Sequence, residues 1–372
     1  MKRLFALFLA LVISVIAAPI VSANTLITLA APTSRLATGI YLNNDLALSI
    51  APEGKFGALV NNPGPGTKTW VIDPAFLEEV LDLADGYVYL DEAGEEVVVE
   101  EYAVAQQWFN LLVLRSRNDQ IISTTYGSPS IYFLKRYAPG ELSIYNQHSK
   151  ARLETIMGRP VSAPSSVVAN SENAQLVARN SYTPMRKTMR VVNSLVTTKD
   201  VEDLRIGIAK TLNPRIKKDN AVLITKSYFA AVQEMQKRIR VSPGNYTITT
   251  PAYDLPVTII NDFAQEVSVD LQISTTNSRV VVGEVPRITV AANSQLQIQV
   301  PLDVIASGET VLRMQLQSPD GTLVGELERI PLRLAVISPI TTWFTTGMAI
   351  ILLLAAVVQS IRRVRKRTNE SR

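Results

Sequence analysis

The chain contains no cysteine, and one histidine, His148, serves all 372 residues. Without cysteine there can be no disulfide bond, thiolate metal ligand, cysteine nucleophile or lipid-modified cysteine anchor. A single histidine cannot build the two-histidine metal sites of deacetylase type, nor an HExxH motif. These absences leave core burial to hold the fold together, and they predict a protein with no metal site and no cofactor.

Familiar catalytic and phosphate-binding motifs are also missing. His148 is interpreted as a loop histidine; a Ser-His-Asp triad through it stays open, although the chain has no Gly-x-Ser-x-Gly elbow. The glycine-rich stretch Gly64-Pro65-Gly66 lacks the Lys-Ser/Thr of a P-loop. The net charge of +4 comes largely from the two ends of the chain. Nucleic-acid binding needs a basic face, so it is not expected here.

Long apolar runs stand at both ends of the chain. The first, 4–20, follows a basic start and leads into Val21-Ser22-Ala23, the small-x-small pattern of a signal-peptidase site. Residues 1–23 are therefore predicted to be a signal peptide. The second, 334–361, carries no charge and exceeds the roughly 20 apolar residues that a helix needs to cross a bilayer. It predicts a transmembrane helix at 337–361.

A basic tail, 362–372, follows the second apolar run. Its first six positions hold five cations: Arg362, Arg363, Arg365, Lys366 and Arg367. The positive-inside rule then predicts a cytoplasmic tail and extracytoplasmic N-terminal domains, and the cations are expected to contact anionic lipid headgroups. The expectation is a single-pass protein of the cell membrane with membrane lipid as a partner. The alternative is a buried core helix, which rarely runs this long without charge.

Between the apolar runs the hydrophobic period changes once. Residues 24–241 alternate short apolar strands, such as Thr69–Ile72, with helical patterns, which indicates an α/β domain with mostly parallel strands. From Ser242-Pro243-Gly244 onward the period becomes two, and about seven short strands in 242–336 predict an immunoglobulin-like sandwich. Two more strands are predicted in the α/β domain: Leu142–Tyr145 and Arg190–Val196.

Several segments, taken together, resemble one family of proteins. They are Pro32–Ala47 (PTSRLATGIYLNNDLA), Thr69–Leu77 (TWVIDPAFL), Thr125–Ser130 (TYGSPS), Tyr246–Thr249 (YTIT) and Leu255–Asn261 (LPVTIIN). The family is one of uncharacterised actinobacterial envelope proteins, typically encoded beside the MviN-type lipid II flippase. The resemblance implies a role in peptidoglycan assembly. Its implied partners are the flippase, other cell-wall synthesis proteins or wall glycan.

The resemblance also carries an expectation about the N-terminal fold. That half of the family is similar to the (β/α) barrels of polysaccharide deacetylases and glycoside hydrolases. Residues 24–241 are fewer than the about 250 of a full barrel, so a partial or degenerate (β/α) barrel-like domain is implied. Ser128 and Ser130 stand where the family has acidic residues. The resemblance therefore carries no catalytic role over to this loop.

Asp73 is the one candidate catalytic residue. It follows an apolar strand, where barrel enzymes place catalytic carboxylates, but it also precedes Pro74 and is well placed to cap a helix. Asp45 and Asp119 are conceivable second carboxylates, with a surface position as the alternative.

Three residues are candidates for ligand binding: Trp70, Asp73 and Tyr126. Flat aromatic rings stack on sugar faces, although a place in the core is the alternative for Trp70 and Tyr126. The sequence therefore predicts a non-enzymatic scaffold or binding protein of the cell envelope. A cell-wall glycan hydrolase or deacetylase-like enzyme using Asp73 is the alternative.

Overall fold

The computed structural model describes residues 25–164, 172–242, 244–335 and 339–369. The predicted signal peptide and its cleavage point lie outside these residues. The chain divides into two compact units. Unit 1 comprises Met1–Lys187 with Glu202–Val232, and unit 2 comprises Thr188–Val201 with Gln233–Arg372.

Unit 1 is built on a small parallel sheet. Its first elements are β1 (Thr25–Leu29), α1 (Asp45–Ile50), α2 (Lys55–Asn61), β2 (Lys68–Ile72), α3 (Pro74–Ala84), β3 (Tyr87–Leu90), β4 (Glu96–Val99), α4 (Ala103–Ser116) and β5 (Gln120–Ser123). Strands β1, β2 and β5 pair in parallel in that order, with Ile27 beside Trp70 and Trp70 beside Ile121. Strands β3 and β4 form a separate antiparallel hairpin.

The chain after β5 is helical. It forms α5 (Ile131–Tyr137), α6 (Pro139–Met157), α7 (Leu176–Leu195), α8 (Lys199–Gly207), a 3-10 helix (Ile208–Leu212) and α9 (Lys218–Lys237). The predicted (β/α) barrel-like fold is therefore wrong. A barrel closes through eight parallel strands, whereas the sheet described in unit 1 has three strands, and its outer strands β1 and β5 do not pair with each other.

Two predicted strands are also wrong, and so is the loop assignment of His148. Leu142–Tyr145 and His148 lie in α6, and Arg190–Leu195 lie in α7. Helical spacing decides the conformation of each. The buried residues of α6 recur every four positions, at Glu141, Tyr145, Ser149, Leu153 and Met157. Helix α7 likewise buries Ala178, Tyr182, Met185, Met189 and Val192.

The central strand shows why the parallel sheet forms. In β2, Trp70, Val71 and Ile72 are all fully buried, as expected for a strand covered on both faces. Helix α3 begins directly afterward, since Asp73 caps it and Pro74 fits its first turn. One face of α3 then packs Phe76, Leu77, Val80 and Leu83 into the core.

Unit 2 has an immunoglobulin-like type of β fold. Its strands are β6 (Ile239–Val241), β7 (Tyr246–Ile248), β8 (Ala252–Asn261), β9 (Val267–Thr275), β10 (Val280–Val282), β11 (Ile288–Val290), β12 (Ser294–Val304), β13 (Gly308–Gln317) and β14 (Leu323–Leu334). They form two sheets, ordered β10-β12-β8-β6 and β11-β9-β13-β14-β7. All neighbours are antiparallel except β14 and β7. Alternation buries one face, as at Leu255, Val257 and Ile259.

The last described element is the helix α10 (Pro339–Asn369). Its segment Trp343–Arg362 is long and apolar enough to cross a membrane. None of that segment is buried. A helix with an apolar surface on all sides requires an apolar environment around it.

Candidate functional site

The candidate site lies at the carboxyl end of the parallel sheet. Because β1, β2 and β5 run the same way, the residues that follow them meet at one edge, where open α/β sheets bind their ligands. The side chains there are called the carboxyl-end cluster. Its members are Asp73, Glu79, Tyr126, Ser128 and Lys210.

Asp73 is fully buried at this edge and accepts three hydrogen bonds. Its Oδ1 accepts from the backbone N–H groups of Ala75 and Gly127, both at 3.0 Å. Its Oδ2 accepts from Ser128 Oγ at 2.7 Å. Burial raises the pKa of the Asp73 carboxyl to about 7, against the three donors, which lower it. The side chain thus caps α3 and fixes the loop that follows β5.

That loop depends on a glycine. Gly127 has φ +73°, and a Cβ there would lie 2.7 Å from Lys210 Cγ and 3.0 Å from Lys210 Cα. Both the positive φ and the close approach of Lys210 require a residue without a side chain. Gly127 therefore brings the loop against the 3-10 helix that carries Lys210.

A second carboxylate in the cluster, Glu79, is part of a buried ion pair. Its Oε1 accepts from Lys210 Nζ at 3.0 Å and from Thr33 Oγ1 at 2.7 Å. Both charged side chains are less than a tenth exposed. Burial lowers the pKa of Lys210, but the facing acidic groups, Tyr228 and Glu79 foremost, outweigh it and hold the pKa well above its usual value. The pair joins α3, the loop after β1 and the 3-10 helix.

Tyr126 is buried beside this pair. Its hydroxyl donates to Glu78 Oε2, and Glu78 also pairs with Arg152. Its ring packs edge-on against the ring of His148, with centroids 5.3 Å apart. Burial raises the pKa of Tyr126 well above its usual value. The phenol is therefore a neutral hydrogen-bond donor at neutral pH.

The remaining predicted site residues lie elsewhere. Trp70 is fully buried within β2, and its indole Nε1 donates to Asp119 Oδ2 at 2.9 Å. Asp45 is exposed at the start of α1. Arg362 is exposed on α10, and Arg363, Arg365, Lys366 and Arg367 continue the same helix. The structure thus brings Asp73 and Tyr126 to one edge of the sheet and leaves Trp70 in the core.

The arrangement limits the chemistry available to this edge. Asp73 has the raised pKa of a general acid, but it has no exposed surface and its carboxylate is already bonded to three donors. In the described part of the chain, no group of three or more His, Cys, Asp or Glu side chains is placed to hold a metal ion. The cluster, as it stands, ties segments of the chain together.

Residues 149–370, more than half of the chain, match the model of a Family of unknown function (DUF6049). The chain belongs to this family. The DUF6049 match begins within α6 and so includes Lys210, but neither Asp73 nor Glu79. No curated protein matches the chain.

Several solved structures are similar to about a quarter of the chain. WR4, a C. elegans member of the MSP family, is 15% identical over 27% of this chain and 99% of its own, with a TM-score of 0.21. A PapD-like domain of human CEP192 is 6% identical, covering 27% and 88%, with a TM-score of 0.22. Escherichia coli α2-macroglobulin, from domain MG7 to its C-terminus, is 9% identical with a TM-score of 0.21. The match covers 26% of this DUF6049 chain and 16% of that one.

Sequence reasoning missed the Glu79–Lys210 pair. The signal for it is a charged residue inside an apolar pattern. Glu79 stands on the face of α3 that carries Phe76 and Val80, and Lys210 interrupts the run Ile208–Leu212. Such positions indicate a buried charge, and buried charges are almost always paired.

Proposed function

We propose that this chain is a single-pass protein of the cell membrane whose two units bind partners of peptidoglycan assembly on the outer side without catalysing a reaction. The observation that carries the anchoring is the apolar segment Trp343–Arg362, of which no residue is buried. Five of the six residues in 362–367 are cations, and the positive-inside rule then assigns the tail to the cytoplasm. The same cations would contact anionic lipid headgroups.

The non-catalytic part of the proposal is supported by the sealed state of Asp73. A catalytic carboxylate must reach the proton or atom on which it acts. Asp73 is instead buried and held by Ala75, Gly127 and Ser128. The chain's single histidine packs against Tyr126. These contacts favour a binding or scaffold role over the glycan hydrolase or deacetylase alternative.

The link to peptidoglycan assembly rests on the resemblance to envelope proteins encoded beside a lipid II flippase. Flippase, wall-synthesis proteins and wall glycan are the proposed partners. Crosslinking the tagged, full-length protein in intact cells, followed by mass spectrometry, tests this. Enrichment of wall-synthesis proteins over a tagged, unrelated single-pass control supports the proposal. If this protein and the control recover wall-synthesis proteins equally, the proposal is overturned.

The membrane topology can be tested with introduced cysteines, because the chain has none of its own. Ala93→Cys places a thiol in the exposed turn between β3 and β4, and Ser371→Cys places one in the tail. A membrane-impermeant maleimide should label Ala93→Cys in intact cells and Ser371→Cys only after permeabilisation. Labelling of Ser371→Cys in intact cells would contradict the orientation.

The absence of catalysis is tested on the purified full chain with wall glycan. The wild type is expected to leave the glycan unchanged and to retain it in a pull-down. If the wild type releases or deacetylates glycan and Asp73→Asn does not, the enzyme alternative replaces the binding role. Asp73→Asn is the right variant for this, because it removes the charge while keeping the shape of the buried side chain.

A further inference from the structure

Unit 1 has an open groove at the carboxyl end of β1. Its volume is about 250 Å³, slightly below the about 300–1,000 Å³ typical of small-molecule pockets. The walls come from the residues after β1, from α1 and the start of α2, from Glu79 of α3, and from the segment that leads into the first turn of α9. We call this space the β1 groove. Its position is one where parallel sheets place ligand sites.

Three cations from two separate parts of the chain line the β1 groove. Lys55 begins α2, while Arg215 and Lys217 precede α9, and all three are exposed. Two carboxylates, Asp45 and Glu79, also line it. Glu79 is already paired with the buried ammonium group of Lys210, so three cations face the groove against the single carboxylate of Asp45, and the balance is positive. Such a lining attracts an anion.

The remaining lining is suited to a sugar ring. Asn43 and Asn220 contribute amide groups, which hydrogen-bond hydroxyls as donors and acceptors. Pro32 and Ala31 contribute accessible apolar surface to the same groove. An apolar wall with a few convergent polar groups is the usual composition of a small-molecule site.

We infer that the β1 groove binds a small anionic sugar, a single ring that carries a phosphate or a carboxylate. Lys55, Arg215 and Lys217 contact the anion, since guanidinium and ammonium groups form charge-assisted hydrogen bonds to such oxygens. Asn43 and Asn220 contact ring hydroxyls. The inference rests on the proposed non-catalytic binding role and adds a class of ligand to it.

Titration calorimetry on the full chain in nanodiscs tests the ligand class. The probes are N-acetylglucosamine 1-phosphate, glucuronate, neutral N-acetylglucosamine and inorganic phosphate. Saturable binding of either charged sugar, at least about tenfold tighter than the neutral sugar, supports the inference, because a hydrogen bond to a charged group is worth about 1.5–3 kcal/mol. Binding of neither charged sugar overturns it. Binding of inorganic phosphate as tightly as the phosphosugar would also overturn it.

Point variants locate the site. Arg215→Gln and Lys217→Gln remove exposed cations from the groove, and Lys218→Gln is the matched control, being exposed, adjacent and outside the lining. Each groove variant is expected to weaken binding about tenfold, and the control much less. If Lys218→Gln weakens binding as much as the groove variants do, the effect is due to long-range charge alone and the groove assignment is overturned.

The two proposals fail in different experiments. If no probe binds, but cysteine labelling gives the predicted orientation and crosslinking recovers wall-synthesis proteins, the β1 groove site is wrong and the scaffold role remains. Glycan turnover that depends on Asp73, with probe binding still sensitive to Arg215 and Lys217, would remove the non-catalytic role and leave the groove as a binding site.

Discussion

The two units differ in what their interiors contain. Unit 1 buries charged side chains, namely Asp73, Glu79, Glu141 and Lys210. In the described part of unit 2, the buried polar side chains are all uncharged: Asn261, Thr310 and Ser318. The first interior is therefore held by ionic and hydrogen-bonded pairs as well as apolar contacts, and the second by strand ladders and apolar contacts.

The reason for the difference lies in how each unit connects its segments. A three-stranded sheet joins few segments, and Lys210 and Glu79, 131 positions apart, tie others to it. Glu141 does the same with Arg205, which donates to both its carboxylate oxygens at 3.0 and 3.1 Å. In unit 2 the ladders already connect neighbouring strands. Unit 1 should therefore be the more sensitive to loss of a single charge.

Removing Lys210 is expected to have the largest effect. Lys210→Met leaves Glu79 buried without its cation, and breaking such a pair costs about 3–5 kcal/mol of unfolding free energy. The loss should appear as faster hydrogen exchange in β2 and α3 of the full-length protein. The double variant Glu79→Gln with Lys210→Met should recover part of it, because no unpaired charge then remains.

Lys150→Met is the control for Lys210→Met. Lys150 pairs with Glu154 on the exposed face of α6, and exposed pairs of this spacing contribute about 0.3–0.5 kcal/mol. If both lysine variants lose the same stability, the buried pair is not what holds unit 1 together.

Asp73 is expected to rank next. Asp73→Ala removes the cap of α3 and leaves the N–H of Gly127 without its acceptor, a loss of about 2–4 kcal/mol. Asp73→Asn should lose less, because its amide oxygen still accepts and its NH₂ group can donate to Ser128 Oγ. Denaturant unfolding of the two variants measures the difference. Equal loss in both would show that charge, and not the acceptor geometry, matters at this position.

The raised pKa of Asp73 adds a pH dependence. Its folded pKa is about 7, against 3.8 as the reference value, so the folded state binds more protons between these values. Its contribution to stability is present at low pH and is lost as pH rises toward 7. The stability of the wild type minus that of Asp73→Asn should therefore fall from about pH 4 to pH 7. If the stability difference between wild type and Asp73→Asn rises with pH, the pKa of Asp73 is not raised in the folded state.

In unit 2 the largest effect is expected at Asn261, an uncharged residue whose side chain stabilises a turn through hydrogen bonds. Its amide donates to the carbonyls of Gln265, Val290 and Ala291, and its oxygen accepts from the N–H of Phe263. Asn261→Ala should cost about 1–3 kcal/mol, seen as faster hydrogen exchange at the start of β9. Asn261→Asp should cost more than Asn261→Ala, since a carboxylate would face three carbonyl oxygens.

The smallest effect is expected at the surface of unit 2. Arg287 donates two hydrogen bonds of 2.9 Å to Asp270, but both side chains are exposed. Arg287→Gln should leave the denaturation midpoint unchanged in 0.15 M salt, because water and ions screen the pair. A loss comparable to that of Asn261→Ala would mean that charge matters as much in unit 2 as in unit 1.

Features that depend on near neighbours along the chain can be read from the amino-acid sequence alone. Asp73-Pro74 marks the start of α3, the alternation from Val267 marks a strand of unit 2, and the uncharged run marks the apolar helix. Each is a local pattern, since a cap, a period or a run is complete within a few residues. For the same reason the short runs at Leu142–Tyr145 and Arg190–Leu195 misled, because the longer helices around them decided their conformation.

How those elements pack against one another becomes known from the three-dimensional fold. The barrel expectation came from a resemblance, and the sheet ends at three strands because the chain after β5 folds as helices. The choice of Lys210 as the partner of Glu79, and the sealing of Asp73 by Gly127 and Ser128, depend on segments distant along the chain. Sequence shows which residues are charged or apolar; which of them become buried together depends on the packing of the whole unit.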